Sequence, residues 1–141
     1  MPYDSFKRFG VKKPVRSFRD LEVYQKTLEN SVIIFKNLRP LLARLKFPLL
    51  ENMINCALTI PATLAEGHSI RFGDHKQGLL LLEKAMAGCN KMIVYLEQAR
   101  GIYGSKLDGD LVEDLVKKYA DVRTKIFRLE KSWQKFTPPQ R

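Results

Sequence analysis

The sequence predicts an all-α fold, an antiparallel up-down-up-down four-helix bundle. Apolar residues recur at spacings of three and four in several long segments, the connections between these segments are short, and no segment alternates as a strand does. A chain of 141 residues is long enough for one domain with its own core. We divide it into a basic N-terminal arm (residues 1–16), the bundle (residues 17–136) and a C-terminal tail (residues 137–141).

The first predicted helix begins at a capping box, in which Ser17 is followed three residues later by Asp20. Pro40 is expected to end or kink this helix, because proline lacks a backbone donor and clashes with the preceding turn. Its predicted apolar face consists of Leu21, Tyr24, Leu28, Val32, Phe35 and Leu38.

The second predicted helix runs from Pro48 to Glu66, with a bend at Pro61 and a left-handed stop at Gly67. A carboxylate in a last turn faces the negative end of the helix dipole, so we expect Glu66 to pair with Arg71 or with a cation from elsewhere. The predicted apolar face consists of Leu50, Met53, Ala57, Ile60 and Leu64.

The third predicted helix is the central one, from a capping box at Asp74 and Gln77 to stop signals at Gly101 and Gly104. Its apolar arc is wide, which indicates burial from two directions, one of which another subunit could supply. The main stripe consists of Leu79, Leu82, Met86, Cys89, Ile93, Leu96 and Ile102, and Leu80, Leu81, Ala85, Met92 and Tyr103 widen it.

The last predicted helix is the most regular, with apolar residues in strict alternation of three and four. Acidic residues crowd its start and basic residues its end, which suits the helix dipole, and Pro138 and Pro139 stop it. The predicted seam consists of Val112, Leu115, Tyr119, Val122, Ile126, Leu129, Trp133 and Phe136.

Charge is the strongest compositional signal, because 25 Lys and Arg against 15 Asp and Glu give a net charge of +10. This excess favours acidic partners such as nucleic acid. Phe6, Phe9 and Phe18 lie among the cations of the arm, where they could stack on bases or anchor the arm to the bundle. The candidate nucleic-acid-binding residues are Lys7, Arg8, Lys12, Lys13, Arg16 and Arg19 in the arm, and Lys117, Lys118, Arg123, Lys125, Arg128, Lys131 and Lys135 in the last helix.

The cations of the last helix have a second interpretation. They avoid the apolar seam, as a solvated helix face must, and Asp114, Asp121 and Glu130 could pair with some of them. In a closed oligomer, however, each protomer repeats the same basic surface, so that weak phosphate contacts act as linked sites. Both interpretations stay open at the level of sequence.

Two motifs carry a family resemblance, residues 18–26 (FRDLEVYQK) and residues 60–67 (IPATLAEG). Together they resemble the signature of the bacterial four-helix-bundle family encoded in intervening sequences of 23S ribosomal RNA genes. This family is related in fold to the accessory variability determinant proteins of diversity-generating retroelements. The resemblance covers residues 17–136. The long basic arm departs from the usual pattern, as do residues 47–51 (FPLLE), which replace a more polar stretch at the start of the second helix, and these departures leave the branch open.

The resemblance implies a four-helix protomer that assembles into a ring-shaped homopentamer with a basic surface. For the retroelement branch it also implies binding to a reverse transcriptase and to its template RNA. For the intervening-sequence branch it implies no defined biochemical role.

No catalytic or metal-binding motif appears in the sequence, so we expect a protein without enzymatic activity, cofactor or metal. His68 and His75 have no trusted ligand spacing and are predicted to be surface residues, and Cys56 and Cys89 to be reduced core thiols. No apolar run approaches the length of a membrane span and no secretion signal is evident, which predicts a soluble, cytoplasmic protein. Membrane attachment through the arm is disfavoured because the arm lacks a helical apolar face.

Two hypotheses of function follow from the sequence. The first is a non-enzymatic, homo-oligomeric accessory protein that binds RNA or DNA through the arm and the last helix. The second is a protein-interaction scaffold whose positive charge only assists encounter with a polymerase-like partner. The sequence does not decide between RNA and DNA.

Overall fold

The structure, a computed structural model, describes residues 14–136, and all regular secondary structure in this range is helical. This confirms the predicted helical bundle. No helix in the described range is long and apolar enough to cross a membrane. The α-helices are α1 (Glu22–Ile33), α2 (Arg39–Leu45), α3 (Leu50–Ile70), α4 (His75–Tyr103) and α5 (Gly109–Gln134).

Four helical arms build the bundle, since a π-helical segment, Ile34–Leu38, joins α1 to α2 as one continuous first arm. Helix α4 packs along both α3 and α5, and α1 packs against α3 and α5 in turn. The first arm and α4 therefore lie diagonally across the bundle. Short connections make consecutive arms antiparallel neighbours.

The helix ends follow local chemistry at most of the predicted positions. The capping box of Ser17 and Asp20 is present, although it opens a short 3₁₀ turn that leads into α1. The Asp74 carboxylate accepts from the Gln77 amide at 3.1 Å and caps α4. Gly104 ends α4 with a positive φ of 55°, while Gly101 lies inside the helix, so the earlier of the two predicted stops is wrong.

Of the two effects predicted for Pro40, an end or a kink, the end is wrong, because the chain stays helical to Leu45. The π-helical segment comes directly before Pro40, and the Arg39 amide donates to the Ile34 carbonyl, five residues back. This wider turn takes up the irregularity that a proline imposes on a helix. The first arm ends instead at Lys46, which is left-handed with a φ of 61°.

The predicted stop at Gly67 is also wrong, because α3 continues without interruption through Pro61 and Gly67 to Ile70. Gly67 is needed for close packing rather than for a left-handed turn. A Cβ atom placed on it would lie 3.2 Å from Leu81 Cβ and 3.3 Å from the Gly78 carbonyl oxygen. The two glycines, Gly67 and Gly78, thus let α3 and α4 approach each other closely.

Replacing Gly78 by alanine is expected to destabilise the protein by about 1–3 kcal/mol, the usual cost of overpacking. The new Cβ would lie 3.0 Å from Arg71 Cα and 3.3 Å from the Gly67 carbonyl oxygen, and backbone atoms cannot move aside as a side chain can. Urea-induced unfolding followed by circular dichroism measures the change in the free energy of unfolding.

Gly101→Ala is the matched control for this substitution. Gly101 also lies within α4, but nothing lies within 4 Å of a Cβ placed on it. The gain in helix propensity should therefore stabilise this variant by about 0.5–1 kcal/mol. Equal effects of the two substitutions would contradict the close crossing of α3 and α4.

The apolar face of the first arm differs from the prediction. Small polar residues are buried instead, because their hydroxyl groups are satisfied within the helix: Thr27 donates to a main-chain carbonyl at 2.8 Å and Ser31 to another at 2.7 Å. The arm has one apolar side with Ile34 and Leu38 and a second with Val32 and Phe35. The sequence alone does not say which of them faces the core. Three predicted core residues are exposed, namely Leu28, Val32 and Phe35.

The core predictions for the long helices hold better. In α4 the stripe through Leu82, Cys89 and Leu96 is buried, while Ile102 is exposed. In α5 the seam is buried as far as Ile126, whereas Phe136 is exposed because the helix ends before it, at Gln134.

Both cysteines are free thiols, as predicted, although Cys56 is only half-buried. Burial raises the pKa of the Cys89 thiol to about 12.

Candidate nucleic-acid interface

Four segments of the chain meet at one end of the bundle, because the arms are antiparallel. They are the entry to α1, the end of α3, the start of α4 and the end of α5. The His68 and Trp133 rings lie 6.2 Å apart, and the charge of Asp20 acts on His68. We name this region the Trp133 end, and it comprises residues 14–22, 66–78 and 128–136.

Arg71 lies at the centre of the Trp133 end. Its guanidinium carbon is 4.1 Å from the centroid of the Phe72 ring and 5.8 Å from that of the Trp133 ring, which are cation–π distances. Its Nη1 donates to the His68 carbonyl oxygen at 2.5 Å. The side chain is thus positioned by contacts with two aromatic rings and by a hydrogen bond to the His68 carbonyl.

The predicted pairing of Arg71 with Glu66 is wrong. Among the described residues no carboxylate forms an ion pair with the Arg71 guanidinium, and no cation forms one with Glu66. The reason for the prediction also fails, because α3 continues to Ile70 and Glu66 is not in its last turn. Within residues 14–136, Arg71 is therefore a cation without a carboxylate partner.

His68 is buried, not a surface residue as predicted, because the longer α3 brings it against Trp133. Burial, and then the positive charge of Arg71, lower the pKa of its imidazole. His68 is therefore neutral at physiological pH and leaves Arg71 as the cation of this cluster. His75 is half-buried. In the described part of the chain, no three side chains of His, Cys, Asp or Glu are grouped as a metal site.

Large aromatic rings are exposed at the Trp133 end. Phe72 is 80% exposed and Phe136 is 75% exposed, and Trp133 lies half-buried between α5 and the α3–α4 connection. Together they border a cavity of about 310 Å³. Its lining residues are Arg71, Phe72, His75, Ser132, Trp133 and Phe136.

The seven candidate cations of α5 fall into two groups. One group is fully exposed and shares a single line on the helix, because its members are spaced by eleven, three and four residues, close to whole turns. This line, which we call the cation line, runs to the Trp133 end on the side opposite the buried seam. It consists of Lys117, Arg128, Lys131 and Lys135.

The other group is half-buried and lies to the sides of the cation line. Lys125 pairs with Glu22 at 2.9 Å and with Asp121 at 3.3 Å, and Lys118 pairs with Asp114 at 3.2 Å. Arg123 lies near Cys89, on the α4 side. The charges of Lys118 and Lys125 already have partners, as the solvated-face interpretation expects, whereas no member of the cation line forms an ion pair within the described residues.

The candidate cations of the arm are described only in part. Arg16 and Arg19 are exposed at the Trp133 end, while Lys7, Arg8, Lys12 and Lys13 lie outside the described residues. Phe18 packs edge-on against Tyr24 at 4.9 Å, so this phenylalanine anchors the chain to the bundle. Phe6 and Phe9 also fall outside the described range.

The acidic groups of the Trp133 end are largely engaged in local structure. Asp20 and Asp74 cap helical turns, and Glu22 pairs with Lys125. Glu130 is buried, with 4% exposure. Burial raises the pKa of the Glu130 carboxyl to about 7, and a hydrogen bond to Glu83 and the negative charge of Glu83 act in the same direction. A part of the negative charge at this end is therefore neutralised by protonation near physiological pH.

Replacing Glu130 by glutamine is expected to raise the free energy of unfolding by about 2 kcal/mol at pH 8 and to change it little at pH 5. The carboxyl has a higher pKa in the folded state than in the unfolded state. Its contribution is therefore fully present below the unfolded value near 4.5 and is lost as the pH rises through about 7. Urea titrations of both proteins at several pH values measure this difference.

The unmodified protein and Glu130→Gln are compared at the same pH. Both contain His68, whose lowered pKa changes stability with pH in the opposite direction, so the difference between them reports the effect of Glu130 alone. Glu83→Gln should reduce the gain from Glu130→Gln, since it removes the like charge. If Glu130→Gln raised the free energy of unfolding equally at every pH, the raised pKa assigned to Glu130 would be wrong.

The fold and the Trp133 end define a class of protein, an antiparallel helical bundle with a basic and aromatic end face. Comparisons with protein-family models, with curated proteins and with solved structures find no match for this chain.

The sequence reading did not single out the aromatic cluster as a site. Trp133 and Phe136 are interpreted there as seam residues, and Arg71 as the partner of a carboxylate. The signal available was Phe72, an isolated aromatic residue next to arginine in a polar connection. Phe72 becomes part of a cavity only because antiparallel packing brings the end of α5, with Trp133, beside it.

Proposed function

We propose that this protein is a non-enzymatic accessory protein that binds RNA or DNA at the Trp133 end and assembles into a ring-shaped homo-oligomer. The observation that carries the proposal is the joint presence, at one end of the bundle, of exposed aromatic rings and of cations that have no carboxylate partner among residues 14–136. Cations bind phosphates by releasing counterions, while aromatic rings stack on exposed bases.

The position of the titratable groups supports a role in binding rather than in catalysis. Burial raises the pKa of Tyr119 and of Cys89, and both side chains are sealed in the core, where a substrate cannot reach them. The accessible cluster instead combines an arginine with aromatic rings. Apart from the imidazole of His75, which also lines the cavity, these are groups that recognise a ligand rather than groups that transfer a proton.

Two separate apolar patches support self-assembly. The first consists of Leu28, Val32 and Phe35 of the first arm with Leu58 of α3, beside a cavity of about 280 Å³. The second is a line of exposed apolar residues roughly four turns long on the outer side of α4, formed by Leu80, Ala87 and Val94, of which Leu80 and Val94 are 55% and 50% exposed. Because the patches lie on different sides of the bundle, one protomer can bind the next head to tail, and such an interface closes into a ring when the rotation allows it.

The family resemblance agrees with this proposal, since it implies a basic ring of four-helix protomers. On the retroelement branch, a reverse transcriptase and its template RNA would be the partners. An apolar patch also supports the second candidate, a scaffold that binds another protein. Recovery of one protein partner after thorough nuclease treatment would favour the scaffold.

Nucleic-acid binding is tested directly with the purified full-length protein. Its affinity for structured RNA, duplex DNA and single strands is measured across a salt series, after light scattering has given the mass. We expect a steep decrease of log K with log salt. If none of these nucleic acids binds at physiological salt, the proposed nucleic-acid binding is wrong, and the protein-binding scaffold becomes the function to test.

A further inference from the structure

The cavity at the Trp133 end combines two kinds of recognition. Phe72, Trp133 and Phe136 supply aromatic surface, and Arg71 supplies a cation. At about 310 Å³ the cavity is close to the lower end of the range for small-molecule sites. It is too small for a protein segment with several side chains, but it has room for one planar ring system.

The exposure of the rings indicates that they are available to a ligand. Large aromatic side chains are normally buried, and two of them here are at least three-quarters exposed. Cation–π contacts connect Arg71 to both rings, at 4.1 Å to the Phe72 centroid and 5.8 Å to the Trp133 centroid. The platform is therefore ordered before a ligand binds, which lowers the entropic cost of binding.

Arg71 retains binding capacity for an anion. A guanidinium group has five N–H donors, and the described residues engage it through one hydrogen bond, to the His68 carbonyl. Because burial and Arg71 keep His68 neutral, the local positive charge is concentrated on the guanidinium. Such a group suits a phosphate oxygen next to a stacked ring.

Two more polar residues, His75 and Ser132, line the cavity. His75 is the first residue of α4, and its Nε2 atom is buried without a hydrogen-bond partner among the described residues. Buried polar atoms in proteins are normally paired. A ligand with a hydrogen-bonding edge would satisfy this atom, which a purely apolar ligand cannot do.

From these observations we infer that the cavity binds one unpaired base of a single-stranded nucleic acid, with the adjoining phosphate at Arg71. The inference rests on the proposed nucleic-acid binding and makes it specific for unpaired nucleotides. A lone phosphate would not need the rings, and an apolar ligand would not need Arg71. In a duplex the faces of the bases are covered by their neighbours, so duplex DNA can bind only along the cations.

Trp133 is the only tryptophan of the sequence, so its fluorescence reports on the cavity directly. The full-length protein is titrated with three probes: a ten-nucleotide oligothymidylate, an abasic strand with the same number of phosphates, and a hairpin duplex. The oligothymidylate is expected to quench the fluorescence and to bind at least about 10-fold more tightly than the abasic strand.

Substitutions of the exposed Phe72 separate stacking from fold. Phe72→Leu keeps an apolar side chain and should weaken oligothymidylate binding by roughly 10-fold, without changing the affinity for the abasic strand. Phe72→Tyr retains an aromatic face and should bind like the unmodified protein. Phe127→Leu, at an exposed ring of α5 outside the cavity, serves as the location control.

The outcomes distinguish this inference from the proposed function. Equal affinity for oligothymidylate and the abasic strand, or equal quenching by the hairpin, would overturn the base site while nucleic-acid binding stands. Binding of none of the probes would overturn both. Selective quenching by the oligothymidylate, lost in Phe72→Leu and kept in Phe72→Tyr, supports the site.

Discussion

Replacing Arg128, Lys131 and Lys135 together by glutamine is expected to weaken nucleic-acid binding by about 10- to 100-fold at physiological salt. These residues form the part of the exposed cation line that reaches the Trp133 end, and no carboxylate pairs with them in the described structure. Each phosphate contact that is lost also removes its released counterion. The slope of log K against log salt should therefore decrease by about 2 for a single strand.

The control is a triple variant with the same change in net charge at the opposite end of the bundle. Arg44, Lys46 and Lys106 are exposed there, and their replacement by glutamine leaves the cation line intact. If the effect depends on position, this variant keeps its affinity and its salt slope. Equal losses in the two triple variants would show that only the overall charge matters, and the Trp133 end would no longer be the interface.

Local chemistry explains why most helix ends could be predicted. A side-chain oxygen that accepts a backbone amide, as at Asp74, works within one turn and needs no tertiary contact. The stop at Gly67 failed for the opposite reason. Glycine favours both a left-handed stop and a close helix crossing, and only the approach of Gly78 selects the second.

The orientation of the first arm shows a second limit. This arm has one apolar side with Ile34 and Leu38 and another with Val32 and Phe35, and both have helical spacing. The choice between them depends on the packing of α3 and α5 and on the π-helical segment, which shifts the register between α1 and α2. Periodicity alone therefore identified a helix but not its buried side.

The candidate site was predictable only in part, because its parts come from distant positions in the sequence. The cation line is visible in the spacing of Arg128, Lys131 and Lys135 on one helix. The aromatic cavity is not, since Phe72 and Trp133 are about 60 residues apart and meet only when antiparallel arms pack. The sequence predicted the charge, and the fold adds the aromatic surface.

If the protein assembles as proposed, introducing a carboxylate into either apolar patch is expected to dissociate the proposed oligomer. Phe35→Glu changes the patch of the first arm, where the ring is 43% exposed, and Val94→Glu changes the patch of α4. Burying an unpaired carboxylate in an apolar interface costs several kcal/mol, which corresponds to a weakening of more than about 100-fold. Light scattering coupled to size-exclusion chromatography measures the mass of each variant.

Mixing the two variants then tests the head-to-tail arrangement itself. Phe35→Glu retains an intact α4 patch and Val94→Glu an intact patch on the first arm, so an equimolar mixture should form a dimer through the one interface that both changes spare. Ile102→Glu adds the same charge at another exposed apolar residue and should leave the mass unchanged. A symmetric two-fold interface on either patch predicts a different pattern, because one variant would dissociate, the other would not, and mixing would restore nothing. A monomeric unmodified protein would overturn the ring, and binding at the Trp133 end would then have to proceed without avidity between protomers.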